Sequence, residues 1–320
     1  MQSKRDPVLT ARGLQDTALR YFLAVVRSGS LSEAAQHLNV TPSAVSRQVA
    51  ALESLLDVPL FERRPRGMVP SAAGELLAAH VRRAELEADR VVSDIQGLRG
   101  LRRGRVRIGS SAGFALEFLP QVIAEFHTLY PGLQFHLQTA SPAAVGTLVL
   151  HGDVDLGLTY SRSAEQGLQV VHRQPSPVLA IMRPDHPLAR HASVTLAQMH
   201  GYPIALPEPD NTVRQLFDIG CSERRLAFSP VLTSNQFETL TSFVLHGGGL
   251  SISGELTVRG RLARGELHAA QIREPGMRNR SIELQTLAGR TLPEGAATFL
   301  AFLRERLAPR TAPSRPARSA

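Results

Sequence analysis

The chain has little of what several protein classes need. Its one cysteine, Cys221, cannot close an internal disulfide, which suits a reducing compartment and excludes a disulfide-stapled scaffold. No apolar run reaches the ~18 residues that a membrane helix requires. The opening MQSKRDPVLTARGLQDT lacks the apolar core of a secretory signal, so the expectation is a soluble, cytoplasmic protein without membrane association. Metal-ligand spacing is also missing: none of the 11 histidines stands in H-E-x-x-H or beside clustered cysteines, so neither a metal nor a cofactor is expected. Neither apolar content (43%) nor charged content (20%) is depleted, which excludes a mostly disordered chain. Its 320 residues suffice for two or three domains.

Charge is unevenly spread. Residues 1 to 110 hold 17 Lys/Arg against 11 Asp/Glu, residues 304 to 320 hold 5 against 1, and the stretch between holds 14 against 16. A basic end joined to a near-neutral body points to a polyanion partner for that end and a different task for the body.

Helical periodicity begins at TALRYFLAVVRS, where Leu19, Phe22, Leu23 and Val26 share one face. Ser30 is placed to cap a second helix, LSEAAQHL, with Glu33 completing a capping box and Asn39 closing the helix in a left-handed turn. Thr41 caps a third helix that carries Pro42 at its first position and buries Val45, Val49, Leu52 and Leu56. Ser43, Ser46 and Arg47 lie off that apolar face. Two helices joined by a short turn, the second with hydroxyls and an arginine turned outward, make a helix-turn-helix whose second helix fits a major groove. In VPLFERRPRGMVPSAAG, Leu60 and Phe61 anchor to the core while Arg63, Arg64 and Arg66 form a basic wing.

Ser71 caps a long helix running to about Leu98 with no proline inside it. Leu77, Val81, Ala84, Ala88, Val91, Ile95 and Leu98 follow steps of four and three, the spacing of a coiled-coil seam, so self-association is expected along it. After the Gly/Arg hinge, strands such as VRIGS, LQFHLQ and VDLGLTY alternate with helices, as in a parallel α/β sheet. A second set follows, and SIELQTLA with AATFLAFLRERL returns to the first. Two α/β lobes result, with crossings expected near 161 to 167 and 268 to 274 and a ligand cleft between them. The expected domains are an arm (1–16), a winged helix-turn-helix (17–70), a dimerising helix and hinge (71–103), an effector domain (104–307; lobe 1 at 104–163 and 270–307, lobe 2 at 164–269) and a disordered tail (308–320).

SGSLSEAAQHL, SAVSRQVAALE, VPLFERR and PSAAGE, in that order, resemble the LysR-type transcriptional regulators. The later phrases GRVRIGSS, LPQVIAEFHTLYPGLQFHL, GDVDLGL, RPDHPLA and GGGLSISGEL continue the likeness, which covers residues 15 to 307. It implies a winged helix-turn-helix, a dimerising linker helix and a periplasmic-binding-protein-like effector domain, assembled as a dimer or tetramer. It implies double-stranded DNA with an inverted repeat as partner, with RNA polymerase as a further candidate. Ser46 and Arg47 match DNA-contacting positions, and Arg63, Arg64 and Arg66 fall in the wing. Effector contacts are implied at Ser110 and Ser111, with Ser141, Thr139, Asn211 and Thr212 as further candidates. Hydroxyls and helix N-termini favour an anion, so a small carboxylate is the expected effector. The chain departs from the family pattern twice: Pro42-Ser43 replaces the frequent Gln-Pro, and Ser253-Gly254 stands where proline is common.

Two other functions fit parts of the sequence. Gly109-Ser110-Ser111-Ala112-Gly113 has the G-x-S-x-G form of a serine hydrolase with Ser111 as nucleophile, but His246-Gly247-Gly248-Gly249, its oxyanion-loop counterpart, comes after it and not before. That Gly run follows a helix and precedes a strand, which reverses the order of a phosphate cradle and reads as a helix cap. A transporter's solute-binding protein would suit the C-terminal two-thirds; the helix-turn-helix and the lack of an export signal oppose it.

Overall fold

The structure, a computed structural model, describes residues 17–64, 67–98, 104–161 and 166–307, without the side chains of Arg63 and of residues 93, 94 and 96 to 98. The expected arm, the hinge at 99–103, Arg66, the side chains of Arg63 and Leu98, and the C-terminal tail lie outside the described residues. Among the described residues two compact units separate, one holding residues up to 98 together with 290–294 and the other 104–289 and 295–307.

Three helices make the core of the first unit: α1 (Thr17–Ser28), α2 (Leu31–Leu38) and α3 (Pro42–Leu56). Ser30 Oγ accepts the Glu33 N–H, as expected of an N-cap, but Glu33 does not complete a box, because the Ser30 N–H is already taken by Ser28 Oγ. Asn39 ends α2 at φ 54°, and Thr41 caps α3. The buried set is Phe22, Leu23, Val25, Ala34, Ala35, Val45, Val49 and Leu52. Two expectations fail by one helical step. Val25 takes the deepest place on α1 while Val26 packs at the edge, and Leu56, the last residue of α3, is exposed. The helix ends at Leu56, the chain turns at Asp57 (φ 51°), and Leu56 lies outside the helical core.

A hairpin of β1 (Phe61–Arg64) and β2 (Gly67–Pro70) forms the wing. Leu60 and Phe61 are buried in the helical core, and Met68 N–H donates to the Gly29 carbonyl at 2.8 Å. Gly67 has φ +123°, and a Cβ there would stand 2.6 Å from Gly29 O, so only glycine lets the hairpin approach the α1–α2 turn this closely. The long helix α4 (Ala72–Leu98) follows, with Ser71 Oγ accepting the Gly74 N–H. Its first turns belong to the helix-turn-helix core: Ala78 and Val81 are buried there and Leu77 packs against it. The seam expected from Leu77 onward is therefore corrected, because Leu77 and Val81 face their own chain. Ala84, Val91 and Ile95 are exposed and Ala88 is half-buried.

The second unit has two lobes. The first is a five-stranded sheet ordered β4 (Leu133–Ala140), β3 (Gly104–Ser111), β5 (Leu156–Ser161), β13 (Ser281–Leu287), β6 (Leu168–Pro175). It is mixed and not purely parallel, since β13 runs antiparallel to both β5 and β6. It packs with α5 (Ala112–Ala115), α6 (Phe118–Leu129), α7 (Pro142–His151) and α12 (Glu294–Leu307). Phe126 lies between α6 and α12, 5.1 Å from the Phe299 ring and 6.1 Å from Phe135, edge-on to both as aromatic quadrupoles favour. Asp155, almost fully buried, is held by the Arg107 N–H at 2.8 Å and the Arg107 guanidinium at 2.9 Å, which locks β3 to the start of β5.

The second lobe is a six-stranded sheet ordered β10 (Leu232–Ser234), β9 (Ile204–Pro207), β11 (Leu250–Ser253), β7 (Leu179–Met182), β12 (His268–Ile272), β8 (Ser193–Val194). Around it stand α8 (Leu196–Met199), α9 (Thr212–Glu223), α10 (Phe237–Leu245) and α11 (Glu255–Ala263). The crossings differ from expectation. Strand β6 stays in the first sheet and β12 in the second, so the chain leaves lobe 1 at 176–178 and returns at 273–280. There the strands are tied, Ser176 N–H to Arg280 O at 2.9 Å and Val178 N–H to Met277 O at 2.8 Å.

Phe126→Ala should cost about 3–5 kcal/mol of stability, because it removes a buried ring whose neighbours are themselves large and cannot collapse inward. Urea unfolding followed by circular dichroism measures this, and a cost below about 1 kcal/mol would remove Phe126 from the centre of that core.

Candidate functional site

The first candidate surface is the outer face of α3. Thr41 fixes its start by accepting the Ala44 N–H, and its hydroxyl also meets Ser43 Oγ at 3.0 Å. Burial of Val45 and Val49 turns Ser43, Ser46 and Arg47 into solvent, and Arg47 has no ion-pair partner among the described residues. A side chain held outward on a rigid helix with its charge uncommitted can contact phosphates or base edges. On the wing, Arg64 is exposed and paired with Glu62 at 2.8 Å, so its charge is partly answered within the hairpin.

The second is a cavity of about 210 Å³ between the lobes. It lies where β3 and β4 end and where α7 and α9 begin, and five of the six expected contact residues line it: Ser111, Thr139, Ser141, Asn211 and Thr212. Ser110 does not. Successive residues of a strand point to opposite faces, and Ser110 is turned into the lobe, fully buried, its hydroxyl donating to the Ser111 carbonyl at 2.9 Å. Two of the lining groups also cap helices. Ser141 Oγ accepts the Ala144 N–H and Asn211 Oδ1 accepts the Val213 N–H, which leaves the Ser141 hydroxyl proton and the Asn211 amide N–H groups to meet a ligand.

Sequence reasoning missed the residues that give the cavity its charge. Tyr160 and Arg280 form its back, Glu208 and Asp210 lie on the second lobe's side, and Phe237 and Thr257 complete that wall. The Arg280 guanidinium lies 4.0 Å over the Tyr160 ring, and Tyr160 Oη meets Thr257 Oγ1 at 3.3 Å across the lobes. Burial pushes the Tyr160 hydroxyl above its ordinary range and draws the Arg280 guanidinium below its own. An arginine starts so high that it stays charged at neutral pH, and the phenol stays protonated. The one sequence signal was the Ser253-Gly254 departure, since Gly254 adjoins both side chains.

The hydrolase geometry is not assembled. The Ser111 hydroxyl is bonded to Thr159 Oγ1 at 2.9 Å, whereas a nucleophilic serine is activated by an adjacent base. His246 and Gly247 close α10 in the other lobe. Among the described residues no group of three or more His, Cys, Asp or Glu side chains could hold a metal, and no helix is long and apolar enough to cross a membrane.

Comparison with known proteins settles the family. Residues 99–308 match the LysR substrate binding domain, and residues 17–75 match the bacterial regulatory helix-turn-helix protein, lysR family. The chain belongs to the LysR-type transcriptional regulators. The transcriptional activator protein LysR of Escherichia coli is 27% identical over 247 residues, 77% of this chain and 79% of that one. The solved structure of ArgP from Mycobacterium tuberculosis has the same fold at a TM-score of 0.64 and 20% identity, covering 91% of this chain and 97% of that one. Full-length CbnR, solved in complex with its target DNA, matches at a TM-score of 0.53 and 19% identity over 93% of this regulator and all of that chain. The expected fold class of winged helix-turn-helix, linker helix and two-lobed α/β domain is present. The family consists of regulators and not enzymes, which sets aside both the hydrolase and the transporter reading.

Ser141→Ala should lower the regulator's stability by about 1 kcal/mol through loss of the α7 cap. Thermal unfolding without ligand reads this; an unchanged midpoint would mean that Ser141 serves the cavity alone.

Proposed function

We propose that the regulator reads an inverted-repeat promoter site as a dimer or dimer of dimers and is switched by a small organic anion, a carboxylate above all, bound between its lobes. Residues 17–70 read DNA, α4 pairs two chains, and 104–307 receive the effector. The observation that carries this reading is the outward face of α3, where Ser43, Ser46 and an unpaired Arg47 stand on a helix fixed at its start and along its buried side. The CbnR complex supports it by showing a fold of this kind on DNA. On DNA the regulator works in the cytoplasm, with RNA polymerase as its further partner.

Two chains meet, in this reading, along the part of α4 beyond Val81, where Ala84, Val91 and Ile95 are exposed and Ala88 half-buried on one stripe. Pairing places two readers at a fixed separation, which symmetric half-sites require. Effector acts by binding one arrangement of the two chains better than another, a coupling of about 1–3 kcal/mol in typical cases.

Arg47→Ala should weaken binding to a cognate promoter by about 1–3 kcal/mol and relax sequence preference, as loss of a bidentate base contact does. Electrophoretic mobility shifts at fixed salt measure both, and wild-type affinity together with wild-type selectivity would end that assignment. Val91→Glu should leave the chain monomeric in sedimentation velocity at low micromolar concentration. A dimer persisting there would place the interface elsewhere.

A further inference from the structure

The charge at the back of the cleft has no answering charge. Arg280 is only 2% exposed. Its Nε donates to the Ser176 carbonyl at 3.1 Å and its Nη2 to Ser176 Oγ at 3.2 Å, both neutral acceptors. Nη1 is buried without any hydrogen-bond partner, and among the described residues no carboxylate forms an ion pair with the group. Glu283, which borders the adjoining cavity with Arg280, is committed to Arg173 at 2.6 Å. A buried charge is ordinarily paired or neutralised, and an arginine cannot neutralise itself. The position is built around that charge. A Cβ at Gly254 would stand 2.6 Å from Nη2 and 3.1 Å from Tyr160 Oη, so the missing side chain of Gly254 is the space in which the guanidinium lies.

The opposite side of the cavity carries the opposite sign. Glu208 and Asp210 both line it, and neither carboxylate has an ion-pair partner among the described residues. A plain anion approaching Arg280 would pass these two charges and be repelled. A ligand carrying an ammonium as well would satisfy both ends.

We propose that the effector is a zwitterion of the amino-acid type, its carboxylate held by Arg280 in the room Gly254 leaves and its ammonium held by Glu208 and Asp210. The proposal rests on the reading of the cleft as an effector site and adds the residue that anchors the anion and the second charge the ligand must bear.

The test uses the full chain with three matched panels: the twenty standard amino acids, their deaminated acids and their decarboxylated amines. Thermal shift finds binders and calorimetry ranks them. The expected result is at least one amino acid that binds, with its deaminated acid and its amine each at least tenfold weaker. Arg280→Met should lose that binding by tenfold or more, and Gly254→Ala should weaken it by displacing the guanidinium without removing it. Glu208→Gln with Asp210→Asn, the first half-buried and the second exposed, should abolish the preference for the amino acid over its deaminated acid, by weakening the amino acid and by lifting the repulsion of the acid. A deaminated acid that binds wild type as tightly as its amino acid overturns the zwitterion and leaves the organic-anion reading intact. Unchanged affinity in both Arg280→Met and Gly254→Ala overturns the role of Arg280. Silence from all three panels brings down both the proposal and the carboxylate reading on which it rests.

Discussion

Everything in the effector domain turns on the paired strands at Ser176 and Arg280. Each lobe is a separate sheet, and among the described residues the chain passes between the sheets at 176–178 and 273–280. The backbone N–H of Ser176 is donated to the Arg280 carbonyl, and the Arg280 side chain returns to the Ser176 carbonyl and hydroxyl. One residue is thus bonded to the partner strand through main chain and side chain at once. Because that side chain also lines the cavity, any group that binds there draws on an arginine already engaged at the joint between the sheets. Other lobe contacts range from the buried Tyr160–Thr257 hydroxyl pair at 3.3 Å to the Glu117–Arg264 ion pair at 3.0 Å, which is half-exposed and of small net worth.

The walls of the cleft show how structural and binding duties share residues. Ser141 and Asn211 each give one acceptor to the helix behind them and keep donors for the cavity. The groups that Ser141 and Asn211 leave free are O–H and N–H donors, whereas Glu208 and Asp210 beside Asn211 offer only acceptors, so the second lobe's wall presents both kinds. Ser111 is different: its hydroxyl is exchanged with Thr159 inside the first lobe, so it can offer a ligand only what that bond leaves free.

The elements that were legible in the sequence are those specified by neighbouring residues. Thr41-Pro42, Asn39 and Ser71 mark helix ends through caps that act within four residues, and the period of α3 reports its buried face directly. Elements set by distant pairing were not legible in the same way. Nothing in LQVVHR says that it lies beside SIELQTL and not in the second sheet, because the choice is made by a ladder with a strand more than a hundred residues away. The heptad on α4 misled for a related reason: Leu77 and Val81 obey the period, yet the helix-turn-helix core reaches them first. Ser110 was misjudged by the alternation of a single strand. Arg280 carried no local mark at all, since an arginine next to a strand reads as surface; its only trace was a glycine at 254, twenty-six residues earlier, where a larger side chain is common.

The contact of the wing with the α1–α2 turn has a mechanical implication. Gly67 sits against the Gly29 carbonyl with no side chain between, Met68 is bonded to the same carbonyl, and Phe61 is packed on Phe22 with ring centres 5.3 Å apart. Among the described residues, hairpin and helices are therefore joined by main-chain contact, a hydrogen bond and aromatic packing at once. In the DNA-binding unit of a LysR-type regulator the consequence is that the placement of the hairpin beside the helices is set by the unit's own packing and not by anything outside it.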